Sequence, residues 1–196
     1  MLTALTEANA QNIIDSVVYT VDKAIPAYVY MQEPQVNNHA AQTKAKYSEA
    51  SQVLRDVLGL NAETTAVLTD TMSDFANGFH QFYAEYYKGV KVEDTRCTVH
   101  YKNGAMSGMT GNFRTVSSLN VVPGISQDNA LTAALKNVGA EKYAWEDAAE
   151  EALLKRLKGD DKASYAPKGE LVVYVNGDKP LLAYAFNPSR FKIVLR

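Results

Sequence analysis

Two glycine-containing dipeptides fix the geometry of the stretch FHQFYAEYYKGVKVEDTRCTVHYKNG, residues 79–104. Lys88-Gly89 and Asn103-Gly104 each separate runs of aromatic and β-branched residues, and glycine supplies the positive φ that a two-residue hairpin turn requires. With both pairs at the centres of turns, residues 78–114 form a three-stranded antiparallel meander. Tyr87 then pairs with Val90, and counting outward sets His80 opposite Cys97. Strand side chains alternate between faces, so Cys97 and His100, three apart, point to opposite sides. A nucleophile and its base must lie within hydrogen-bond reach, so CTVH is not a cysteine–histidine dyad. Cys97 reads instead as a small buried hydrophobe.

The regions on either side read as helix-rich. In EANAQNIIDSVVYTVDKAI, Ile13, Val17 and Val21 recur at helical spacing with Ile14 and Val18 beside them, which predicts a helix broken at Pro26. QEPQVNNHAAQTKAK reads as a polar loop. YSEASQVLRDVLGL predicts a second helix ending at Gly59, and NAETTAVLTDTM a third opened by Asn61 as N-cap. Beyond the meander, ISQDNALTAALKNVG predicts a helix capped by Ser126, with Ile125 as a staple, Ala130, Leu131, Ala134, Leu135 and Val138 as its buried stripe, and Gly139 at its end. AWEDAAEEALLKRLKG predicts another, with Trp145, Ala149, Ala152 and Leu153 on one face and acids early and bases late to suit the helix dipole. The final segment reads as strand, Asn-Gly turn, strand, Asn-Pro break and a short last strand. The fold class is α+β: antiparallel sheets with packed helices, preceded by a helical N-terminal region over 1–57.

Charge and motif content narrow the function. Twenty basic and 22 acidic side chains, interspersed and giving a net charge of −2, form no single-signed field for nucleic acid. No apolar run approaches the roughly 20 residues that cross a bilayer, and MLTALTEANA lacks the pattern of a signal peptide. HExxH, GxSxG, GxGxxG and GxxxxGK[ST] are all missing. Cys97 with His80 would supply two ligands, short of the three or four of a zinc site; His39 sits in the polar loop and adds nothing at ligand spacing. Asp147, Glu150 and Glu151 read as a solvated first turn. The reading is a non-enzyme, without catalytic residues, metal or cofactor.

HQFYAEYYKGVKV followed by VHYKNGAMSGMTGNF resembles the FTP domain, the fungalysin/thermolysin propeptide module. The resemblance rests on His80, Tyr83, Tyr86, Gly89, Val90, Val92, Asn103, Gly104, Gly111 and Phe113 in that order. SQDNALTAALKNVG with ELVVYVNGDKPLLAYAFN resembles the PepSY domain that follows FTP in propeptides of thermolysin-like (M4) metallopeptidases. Together these cover roughly residues 55–187, and divide the chain into a helical region 1–57, an FTP-like domain 58–117 and a PepSY-like, cystatin-like domain 118–196. The family commonly has glutamine where Glu85 stands.

The resemblance implies a non-catalytic folding chaperone and inhibitor of a thermolysin-like peptidase domain, in cis or in trans, and a secreted or extracytoplasmic location. A stand-alone secreted binding module on the same fold is the alternative. Tyr83, Tyr86, Tyr87, Lys88 and Gly89, around the first turn, are the docking candidates, their aromatic and amphipathic side chains being of the kind enriched at interfaces. Because alternate tyrosines face opposite sides, some of them must be core.

Overall fold

A computed structural model describes residues 14–19, 25–31, 50–75, 78–102, 105–177, 179–186 and 193–194. The chain divides into two compact units, Met1–Ser118 and Leu119–Arg196. It is of mixed α and β class, with strands predominating and three α-helices among the described residues.

The first unit contains β1 (Ile14–Tyr19), β2 (Pro26–Met31), α1 (Ala50–Leu58), β3 (Thr64–Ser73), β4 (Gly78–Tyr87), β5 (Val90–Val92), β6 (Cys97–Lys102) and β7 (Ala105–Gly111). Its antiparallel sheet runs β1-β2-β7-β6-β4-β3, with β5 pairing the far end of β4. Lys88 and Gly89 have φ of 48° and 79°, the two left-handed conformations of a tight hairpin turn, and Tyr87 pairs with Val90 as the spacing requires. Lys102 pairs with Ala105, the register expected around 103–104.

The pairing of His80 with Cys97 does not occur. His80 pairs with His100 and Cys97 with Tyr83, because the chain leaves the ladder after β5 before rejoining it as β6. That excursion is built by Asp94 at φ 59° and clamped by Asn112, whose side-chain amide donates to the Asp94 carbonyl at 2.7 Å and accepts from Arg96 N at 2.8 Å. Non-glycine residues in the left-handed region are uncommon, and aspartate is among those that tolerate it.

Two predicted helices are strands. Residues 14–19 and 26–31 form the β1–β2 hairpin, and Pro26 is the first residue of β2, where a missing N–H is tolerated. Short apolar runs satisfy helical and strand templates alike, and here the β-branched Val17 and Val18 fit a strand. Asn61 does accept from the backbone N–H of Glu63 at 3.0 Å and from the Thr64 hydroxyl at 3.0 Å, an N-cap-like contact. It opens the ten-residue strand β3 instead, which pairs along β4 with one irregularity between Leu68 and Asp70. Of the helical reading of 1–57, α1 survives, and the polar loop with His39 lies outside the described residues.

Helix α1 buries Ala50, Leu54 and Leu58 at four-residue spacing and ends at Gly59, φ 63°, where Leu60 N donates to the Arg55 carbonyl. Its stripe joins Val29, Met31, Tyr83, Cys97, Val99, Tyr101, Met109 and Phe113 in one core on the inner face of the sheet. The outer face is partly solvated, as an antiparallel sheet permits.

In the second unit, α2 (Gln127–Val138) starts at Ser126, whose side chain accepts from Asn129 N, and ends at Gly139 in the left-handed conformation. Ala130 and Ala134 are its buried contacts, packed with Phe186; Val138 and Ile125 are exposed. After a 3-10 turn at Ala144–Glu146, α3 (Ala148–Lys158) is capped by Asp147, not merely begun by a solvated acid. It buries Leu154, while Ala149, Ala152 and Leu153 are exposed, and Trp145 stands in the turn, stacked on Tyr143 at 4.5 Å. Trp145 precedes the helix, so the face expected from Trp145, Ala149, Ala152 and Leu153 does not form, and Leu154 packs instead. Strands β8 (Gly169–Asn176), β9 (Lys179–Phe186) and β10 (Ile193–Val194) pair antiparallel, and the β8–β9 turn falls one residue later than Asn-Gly, Asn176 pairing with Lys179.

Gly111 shows why the distal glycine is needed: a Cβ there would meet the Arg96 carbonyl oxygen at 2.8 Å and Cys97 Cα at 3.0 Å. Both are backbone atoms that cannot turn away. We expect Gly111→Ala to destabilise the chain by about 1–3 kcal/mol, read as a lower urea midpoint; an unchanged midpoint would contradict this packing.

Candidate interaction site

Strand β4 carries most of the polar chemistry, because alternation sends Gln81, Tyr83, Glu85 and Tyr87 inward and His80 and Phe82 toward the outer face. The inward row is buried. Gln81 Oε1 accepts from the Tyr101 hydroxyl at 2.8 Å and the Tyr83 hydroxyl at 3.1 Å, so one amide oxygen satisfies two buried phenols. Tyr87 donates to Glu63 at 2.6 Å, and Lys88 Nζ lies 3.1 Å from the other oxygen of Glu63. Those two hydrogen bonds hold the Glu63 carboxyl below its ordinary pKa, and the same carboxylate raises that of Lys88. Tyr83 and Tyr87 are thus buried, inner-face residues. Tyr86 is half-buried, and Lys88 and Gly89 are exposed at the turn.

Glu85 is fully buried. Its Oε2 accepts from Arg114 N at 2.8 Å, while Oε1 has no hydrogen-bond partner. Burial pushes its pKa up to about 7, against the opposing pull of that N–H and of the Arg114 charge. Nothing in the sequence pattern marked this carboxyl except the glutamine expected in its place.

On the outer face, four side chains form a chain that sequence spacing did not show. Asp74 lies 3.1 Å from His80 Nε2, His80 Nδ1 is 3.0 Å from His100 Nδ1, and His100 Nε2 is 2.8 Å from the Thr110 hydroxyl. With Asp74 ionised, His80 Nε2 must donate to it. If both imidazoles are neutral, His80 Nδ1 accepts from His100 Nδ1–H, and Thr110 donates to His100 Nε2. Burial, then the neighbouring His80, lowers the His100 pKa. Asp74 also accepts from Gly78 N at 2.8 Å, so the chain ties the β3–β4 connection to β6 and β7. It is a structural tie, made possible by the register that sets His80 opposite His100.

Cys97 is buried among apolar neighbours, and burial pushes its thiol up to about 12, which removes the thiolate a nucleophile needs. Among the described residues no group of three His, Cys, Asp or Glu side chains is placed to hold a metal ion. No described helix is long and apolar enough to cross a membrane. In the second unit a groove of about 240 Å³ is lined by Val122, Pro123, Ile125, Leu171, Leu182 and Tyr184 among others, an apolar surface.

Residues 65–113 match the family described as the Fungalysin/Thermolysin Propeptide Motif, FTP. The match begins in β3, takes in the whole meander and ends at the buried Phe113. It therefore covers the inward row of β4, the Lys88-Gly89 turn and the His80–His100 pair. FTP is a propeptide motif and not a catalytic domain. The match does not reach the second unit, where the PepSY resemblance stays one of sequence.

The raised pKa of Glu85 makes a signed prediction. An acid whose folded pKa exceeds its unfolded value of 4.5 leaves stability intact below that value, and stability is lost as pH rises toward 7, where the buried carboxyl ionises. Glu85→Gln removes that loss. We expect the variant to exceed the parent by roughly 2–3 kcal/mol at pH 8 and to differ far less at pH 5. Urea midpoints at the two pH values check this, and an equal gain at both would contradict the assignment.

Proposed function

We propose that the chain is a non-catalytic, propeptide-like module that assists the folding of a thermolysin-like (M4) zinc metallopeptidase and holds it inactive until it is degraded. The observation that carries this reading is the FTP match over residues 65–113, laid on a meander whose inner face is a packed core. The second unit, 119–196, is read as the PepSY-like partner of that module, and FTP propeptides belong to secreted peptidases, which supports an extracytoplasmic setting. A peptidase that folds slowly through long-range contacts gains from a preformed surface that stabilises its late intermediates. Once docked, the same surface occupies the enzyme by mass action and leaves as it is cut.

In this reading the contacts near the first turn come from Tyr86, Lys88 and Gly89, which are accessible, while Tyr83 and Tyr87 hold the strand from inside. The β1–β2 hairpin extends the sheet beyond the matched segment, pairing β2 with β7. That addition is the one feature favouring the alternative, a stand-alone secreted binding module.

The test is a titration of the intact chain into a mature thermolysin-like peptidase from the same organism, following a fluorogenic peptide. Dose-dependent inhibition that fades as the chain is degraded is expected; a folded, intact chain without effect at micromolar concentration would overturn the reading. Cys97→Ser should inhibit like the parent while losing about 1–3 kcal/mol of stability, since it buries a hydroxyl among apolar groups. Lost inhibition with unchanged stability would instead place the thiol in the function.

A further inference from the structure

We infer that the outer edge of β3 is a strand-addition site for an extended protein segment of alternating apolar and small polar residues that carries a basic side chain. This does not rest on the peptidase reading. Among the described residues β3 pairs with β4 alone as a strand, so its other edge has no ladder partner there, though Thr64 N–H is taken by the Asn61 carbonyl and Thr71 N–H by Asp70. Such an edge templates the pairing of a further strand.

The side chains agree with that use. Residues 67–75 are all exposed, and Val67, Leu68, Met72 and Phe75 concentrate apolar surface there. Natural edges are usually blunted by lysine, proline or shortness, and β3 has none of these. It has a bulge, with the Thr69 hydroxyl donating to the Phe82 carbonyl at 3.0 Å. This leaves Thr65–Leu68 as the straight run available for pairing, Thr64 being buried and bonded to Asn61, with Asp70 just beyond it.

Charge chooses the occupant. Between residues 61 and 75 stand Glu63, Asp70 and Asp74 and no lysine or arginine. Glu63 already faces Lys88, and Asp74 faces His80. The exposed Asp70 carboxylate accepts from Thr71 N at 2.8 Å and has capacity for a cation as well. Antiparallel pairing of two copies over 61–75 brings Asp70 no base, whereas a foreign strand with one lysine or arginine gives it a partner.

The test titrates an eight-residue peptide of alternating valine and threonine with one central lysine into the full isotope-labelled chain, following amide shifts. Shifts confined to Thr64–Ser73 and saturating at or below low millimolar peptide are expected. Asp70→Lys should weaken binding about tenfold and Leu68→Lys should abolish it, both at unchanged melting temperature, whereas Val18→Lys on the opposite edge strand should bind like the parent. No β3 shift at millimolar peptide, or shifts centred on β1, would overturn the inference. So would concentration-dependent dimerisation in sedimentation that Leu68→Lys abolishes, since the edge would then belong to a second copy of this chain.

Discussion

The first unit is organised by the amide oxygen of Gln81, which takes the protons of Tyr83 and Tyr101 inside the core. A buried phenol without an acceptor costs about 1–3 kcal/mol. One side chain on β4 removes that cost for two aromatics, and its bond to Tyr101 crosses to β6. The tie works only in the observed register, with Gln81 opposite Val99, so that both tyrosines lie beside it on the same face. A one-residue slip would turn every member of this row toward the outer face. Within that unit β4 also pairs with three strands, β3 on one edge and β5 and β6 on the other. Glu85, two positions from Tyr83 and Tyr87, is the exception that shows the rule, a buried acid with one oxygen satisfied and one not.

What was legible in the sequence was whatever local chemistry decides. The Lys88-Gly89 turn, the Gly59 and Gly139 helix ends and the Ser126 cap depend on a few adjacent residues, and each stands where its residues placed it. Decisions made at long range were hidden. Val17 and Val18 suit a helix face as well as a strand, and pairing with β2 settles the matter. Asn61 makes its cap-like bonds whether a helix or a strand follows, and the ladder with β4 selects the strand. The departure of 93–96 from the ladder hangs on Asn112, well beyond the reach of hairpin counting.

The candidate site was legible to the same degree. Alternation alone said that some tyrosines of the meander must be core, and Tyr83 and Tyr87 are. It could not say which face α1 would cover, since that depends on Leu54 and Leu58 packing from another element. The His80–His100 pair and the orphaned oxygen of Glu85 were invisible for a similar reason: both follow from register and burial, not from spacing along the chain. The stretch that looked most like an active site is a strand that spends its polar groups on its own cohesion. Among the described residues its neighbour β3 has no strand on its outer edge.

The claim that β4 organises the first unit is tested most directly by native-state amide hydrogen exchange on the intact chain. Among the strands of that unit, the amides of Gln81–Tyr87 should be the slowest, opening only with global unfolding, while those of β3 that face away from β4 exchange far faster. Exchange in β4 as fast as in β1, or a slowest group lying in β2 and β7, would contradict the account.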